Sequence, residues 1–172
     1  MLNKIKKNLK GLSIIEVTIA LGVITIGMVG LLSLIVQNTR VYYTNKNRFT
    51  ASMLAQEAVE LVRNKRDSNW IAGSAWNNGI NIPIYRIDID GNISAVSSIT
   101  DVNAKLLKDG TDNSYQYSSG TASQFFRIIE KTDIDVNSDL TVDGYKIIST
   151  VQWSERGNTH DVSVETYLFD WK

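Results

Sequence analysis

The sequence predicts an α+β fold in which one long N-terminal helix packs on a C-terminal antiparallel sheet. Three observations predict it. Leu12 to Val36 is a run of 25 residues with a single charge, Glu16. Residues 37–66 contain no proline or glycine and carry apolar residues at helical spacing. Beyond residue 80, short runs rich in isoleucine, valine and aromatic residues alternate with turn residues, the pattern of strands.

The apolar run comes first. At about 1.5 Å per residue it makes a helix of roughly 38 Å, enough to cross a hydrocarbon core of about 30 Å with some tilt. Lys4, Lys6, Lys7 and Lys10 precede it and keep that end cytoplasmic, which places the chain beyond about Arg40 outside. A conventional secretory signal is the competing assignment, but its apolar core is shorter and ends at a small-residue cleavage site, whereas this run ends in Val36-Gln37-Asn38-Thr39-Arg40. Gly22, Gly27 and Gly30 fall inside the run, either as close-packing positions or as places where the helix can unwind. Tyr42 and Tyr43 follow it, where aromatic residues collect at a membrane interface.

The same helix is expected to continue to about Arg66. Phe49 and Met53, Leu54 and Ala58, and then Leu61 and Val62 form an apolar stripe opposite Asn45, Lys46, Arg48, Gln56, Glu57, Glu60, Arg63 and Asn64. Asp67-Ser68-Asn69 reads as its stop. After a connection rich in Trp, Gly and Asn, Ile82–Asp90 and Ile93–Thr100 read as a hairpin around Asp90-Gly91-Asn92. Residues 101–123 read as one long surface loop. Gln124–Thr132, Gly144–Trp153 and His160–Trp171 are the clearest strands, the last two joined across Gly157-Asn158. Their alternation places Tyr145, Ile147, Val151 and Trp153 on one face, and Val162, Val164 and Leu168 opposite Tyr167, Phe169 and Trp171.

A charge five residues into an apolar run is costly and calls for a partner, and the run offers none. The phrase Gly11-Leu12-Ser13-Ile14-Ile15-Glu16, behind a short basic leader, closely resembles the processing signal of type IV pilins and of the pseudopilins of type II secretion. The phrases Ala55-Gln56-Glu57-Ala58-Val59-Glu60-Leu61-Val62-Arg63 and Val151-Gln152-Trp153 through Thr166-Tyr167-Leu168 resemble minor members of that family. The family usually has phenylalanine after the cut, and Leu12 stands there in this chain.

The resemblance implies the pilin fold and cleavage between Gly11 and Leu12 by a membrane-embedded prepilin peptidase. It also implies N-methylation of Leu12, and Glu16 pairing with the N-terminal amine of a neighbouring subunit. Residues 1–11 would be the leader, 12–36 the transmembrane and filament-core helix, 37–66 its amphipathic continuation and 67–172 the sheet domain. The implied partners are the peptidase, other pilin or pseudopilin subunits, the filament assembly machinery with its ATPase and platform protein, and the inner membrane. The chain would be a single-pass inner-membrane protein before assembly and part of a pilus or periplasmic pseudopilus after it, in a minor or priming role. The alternative is an uncleaved single-pass anchor carrying an extracellular binding domain whose sheet or 101–123 loop takes a ligand.

Composition limits the rest. Cysteine is absent, which removes disulfides, thiolate metal sites and cysteine nucleophiles. Without residues 1–11 the chain would hold 14 lysines and arginines against 18 acids, a charge of −4 that does not point to nucleic acid. No enzymatic role and no cofactor are expected: His160 is the only histidine, and no G-x-S-x-G nucleophile turn occurs. Asp133, Asp135, Asn137 and Asp139 alternate as calcium ligands do, but Ser138 and Gly144 stand where an EF-hand needs glycine and glutamate. A solvated acidic turn is the favoured reading and a loose calcium site the alternative. Trp70, Trp76, Trp153 and Trp171 are read as core and interface residues, with a carbohydrate-binding patch as the alternative.

Overall fold

The structure is a computed structural model that describes residues 11, 13–139 and 141–170. Among these residues one α-helix and seven strands form an α+β architecture: α1 (Ile14–Ile71), β1 (Ile84–Ile87), β2 (Ile93–Ala95), β3 (Lys105–Lys108), β4 (Tyr115–Gln116), β5 (Thr121–Ile134), β6 (Gly144–Glu155) and β7 (Asn158–Phe169). The chain divides into two compact units, residues 1–43 and 44–172, with the boundary inside α1.

In the first unit α1 is apolar on every side, with Ile14, Ile19, Ile26, Val29 and Leu31 all more than 60 % exposed. It is long and apolar enough to cross a membrane. Two threonine hydroxyls inside the run donate to the helix's own backbone, Thr18 Oγ1 to the Ile15 carbonyl at 2.9 Å and Thr25 Oγ1 to that of Gly22 at 2.8 Å, so neither needs water.

In the second unit the helix buries Ala51, Leu54, Ala55, Ala58, Val59 and Val62. This i, i+3, i+4, i+7 stripe is built half from alanine, which lets the helix approach the sheet closely. Phe49 and Met53, expected in the stripe, are 68 % and 45 % exposed. At about 100° per residue they lie roughly 150° to 170° around the helix from its buried centre.

The helix also outruns its expected stop and ends at Ile71. Asp67 pairs with Arg66, and Ser68 Oγ donates to Asn64, so neither side chain breaks the helix. The break comes at Gly73, whose φ of +70° permits the left-handed turn. Its N–H bonds Trp70 O at 3.1 Å, and Ser74 N–H bonds Asn69 O at 2.9 Å, the paired bonds of a Schellman cap. Buried Asn69 then donates to the carbonyls of Trp76 and Asn78, fixing the turn beyond the helix.

The sheet is antiparallel throughout and centred on β5. β6 covers one edge of β5 from Phe125↔Trp153 to Ile134↔Gly144, and β7 lies outside β6. The other edge is shared, with β3 against residues 121–126 and β1 against Ile129 and Glu130, and β2 and β4 lie outside them. The expected 101–123 loop is therefore corrected. It holds a 3-10 turn at Val102–Ala104, all of β3 and β4, and the start of β5, because the first half of β5 would otherwise lack a partner. Asp101 caps that turn. Its carboxyl is held down at about 2, first by the Asn103 N–H and then by Ser97, so this contribution to folding is present above the ordinary carboxylate pKa and lost as pH falls through about 2.

The expected strands survive with shifted ends. Ile82–Asp90 contracts to β1, Ile93–Thr100 to β2, and β5 gains residues at both ends. The β6–β7 turn tightens to Arg156-Gly157, both at positive φ (54° and 82°), the geometry whose twist suits a two-residue hairpin. Gly144 is required at the start of β6, since a Cβ there would lie 2.5 Å from both the Leu168 carbonyl oxygen and the Phe169 ring.

The helix-facing side of the sheet carries two apolar clusters. One gathers Ala58, Val62, Tyr85, Ile129, Ile147 and Leu168, the other Ala51, Leu54, Leu106, Phe125, Val151 and Trp153. Arg127 lies between Phe125 and Ile129 on that same side and is 1 % exposed. Its Nη1 donates to Leu54 O at 3.1 Å, its Nη2 to Ile87 O at 3.2 Å and its Nε to Tyr117 Oη at 3.2 Å. Glu57 Oε1 stands 3.6 Å from Nη1. On the far face Val96, Ala104 and Ile128 form a smaller core.

Replacing Arg127 with methionine is expected to lower unfolding stability by about 3 kcal/mol, through loss of hydrogen bonds to a charged group partly offset by easier burial. Glu57→Gln, at a half-exposed site, should cost about 1 kcal/mol or less. Urea unfolding followed by tryptophan fluorescence checks both, and an Arg127→Met chain as stable as the parent would contradict the assignment. Tyr85 Oη is buried with no hydrogen-bond partner among the described residues. Tyr85→Phe should therefore leave stability unchanged or raise it by up to about 1 kcal/mol, and a clear loss in the same assay would show that the hydroxyl is satisfied.

Candidate functional site

The candidate site is the first turn of α1 and the apolar helix that follows. Ser13 supplies the first acceptor, its carbonyl taking the N–H of Glu16 at 3.0 Å and of Val17 at 3.2 Å, so Ser13 is the residue on which the helix starts. Glu16 is thereby placed in the first turn, beside backbone N–H groups that have no helical partner. Ser13 and Glu16 stand three apart, the spacing of a capping box, a signal in the sequence that the expectation of a pairing carboxylate passed over. The Glu16 side chain makes no hydrogen bond or ion pair among the described residues and is exposed. Its neighbours Ile15, Val17 and Ile19 are 67 %, 42 % and 63 % exposed. The geometry is an exposed carboxylate in the first turn of a helix, at its positive end, without a partner among the described residues and with aliphatic residues on either side of it in the sequence.

Gly11 is exposed and precedes the helix, with nothing within 4 Å of where its Cβ would be. Leu12 and the leader lysines lie outside the described residues. Helical hydrogen bonding runs unbroken through Gly22, Gly27 and Gly30, and a Cβ at any of them would meet nothing within 4 Å. Among the described residues nothing requires glycine there.

The other sequence candidates are drawn into local structure. Asp133 bonds Lys131 Nζ at 2.6 Å. Asp135 accepts the N–H of Ser138 at 2.7 Å, Asn137 donates to Asp139 at 2.9 Å, and Asp139 accepts from Thr141, whose hydroxyl is the main cause holding its carboxyl below the usual range. Asp133 lies in β5, Asp135, Asn137 and Asp139 close the turn that follows it, and no cluster of three or more His, Cys, Asp or Glu side chains suited to a metal occurs among the described residues. Trp76 and Trp153 are buried in the two cores, and Trp70 is half-buried beneath Arg66, so these three form no exposed platform. Trp171 lies outside the described residues. His160, expected to be solvated, is half-buried and stacks on Trp153 with ring centroids 5.5 Å apart.

Comparison with protein-family models, curated proteins and solved structures gives no match. The site therefore stands on its residues.

Because no contact among the described residues needs them small, changing Gly22, Gly27 and Gly30 together to alanine should stabilise the isolated helix, by about 1 kcal/mol per position. In neutral detergent micelles, amide exchange across residues 18–34 should slow at least fivefold. Unchanged or faster exchange would mean that the glycines already sit in a constraint that alanine cannot meet.

Proposed function

We propose that this chain is a structural subunit of a type IV pilus or related pseudopilus, in a minor or priming role. It is inserted with its leader in the cytoplasm, cut between Gly11 and Leu12 by prepilin peptidase, and assembled through α1. The observation that carries the proposal is Glu16: an exposed carboxylate, without a partner among the described residues, at the start of a helix otherwise apolar for some 20 residues. A charge in that setting is stable only if assembly or the headgroup region answers it, and low local dielectric strengthens a pair with a neighbour's Leu12 amine. Gly11, five residues earlier, supplies the cleavage point that would create that amine. An α+β arrangement with a long N-terminal helix on an antiparallel sheet is consistent with the pilin fold.

The mechanism is packing. Apolar segments from Leu12 onward bundle in the filament core, Glu16 fixes the axial register between neighbours, and the sheet domain faces outward. The inner membrane holds the subunit until the assembly machinery extracts it.

Glu16→Ala is expected to leave membrane insertion and cleavage unchanged while lowering incorporation into filaments at least tenfold. Quantifying the variant in sheared or extracted filaments, against its level in the membrane, measures this. Incorporation at the parental level would refute the role given to the carboxylate.

A further inference from the structure

We propose that β7 is a docking edge to which an extended basic segment of another protein adds as a further strand. β7 pairs with β6 in a register that runs without a shift from Glu155↔Asn158 to Gly144↔Phe169, and it pairs with no other strand among the described residues. The other outer strands, β2 and β4, are three and two residues long, too short to template much pairing, whereas β7 has 12 residues. Edge strands are normally guarded by proline, by a bulge or by an inward-pointing lysine, and β7 has none of these.

The side chains specify the partner. On the solvent face Asp161 and Glu165 are both exposed. Glu165 pairs with Lys146 at 2.9 Å, while Asp161 has no ion-pair partner among the described residues. On the helix-facing side Val162 and Val164 are only half-buried, packed against the cluster that holds Leu54, Val151 and Trp153. An added strand would place alternate residues beside each set, so the fitting sequence alternates cationic residues, facing Asp161, with apolar ones that complete the cover of Val162 and Val164. A second copy's β7 is a poor occupant. With matching faces, its own Asp161 and Glu165 would share one patch with these two acids, and like charges on paired strands destabilise.

The test uses the full chain in neutral detergent and a fluorescein-labelled peptide of alternating lysine and valine. Two controls accompany it: the same peptide N-methylated at alternate backbone positions, and a glutamate–valine peptide. The lysine peptide should bind at least tenfold more tightly than either control and should slow amide exchange within residues 158–169. Asp161→Lys, at an exposed site, should weaken binding at least tenfold, and Val164→Lys should abolish it with the circular dichroism spectrum retained. Equal binding of the N-methylated or the glutamate peptide, protection confined to other strands, or self-association of the chain through β7 would each overturn the proposal.

Discussion

The globular unit depends on one buried cation. Arg127 enters from the middle strand of the sheet, and its guanidinium meets acceptors from three separate stretches: a helix carbonyl at Leu54, a strand carbonyl at Ile87 and the hydroxyl of Tyr117. Burying a guanidinium costs several kcal/mol unless its N–H groups are used, so the surrounding chain must hold those acceptors in place. Tyr117 in turn donates to the Arg127 carbonyl at 3.1 Å, which closes the arrangement on itself. Glu57 supplies countercharge from the helix surface at 3.6 Å without being buried, an inexpensive way to answer a cation that is itself dry. The two apolar clusters then fall on either side of this polar junction, and α1 is fixed both by packing and by hydrogen bonding.

Much of this was legible in the sequence, for reasons that are local. A 25-residue apolar run and a long stretch free of glycine and proline announce α1. β5, β6 and β7 are 12 to 14 residues long and alternate strongly enough for period two to be read directly. What was missed depends on tertiary partners. Lys105–Lys108 and Tyr115–Gln116 are too short for any period to show, and they become strands because β5 has an edge to fill. Arg127, flanked by Phe and Ile, has the look of a solvent-facing residue in a half-buried strand, and only the acceptors gathered from residues 54, 87 and 117 make it an interior one. The end of α1 was misplaced for a similar reason. Asp67-Ser68-Asn69 is helix-breaking on average, yet each side chain is occupied, and the true signal was Gly73.

The candidate site was legible in a different way. Gly11 and Glu16 stand out because each residue type conflicts with, or punctuates, the apolar run around it, whereas Ser13, whose carbonyl starts the helix, was passed over. The structure adds that Glu16 sits in the first helical turn, exposed and without a partner among the described residues. At Gly22, Gly27 and Gly30 nothing among the described residues lies within 4 Å of where a side chain would start.

The measurement that tests this most directly is the intact mass and N-terminal sequence of the protein recovered from cells with an active prepilin peptidase. The proposal predicts a chain that begins at Leu12, carrying −4 in place of zero formal charge after loss of the four leader lysines. A chain that retains Met1 to Gly11 under those conditions would contradict it. Glu16 would then be an isolated charge in a membrane anchor, with function left to the sheet domain.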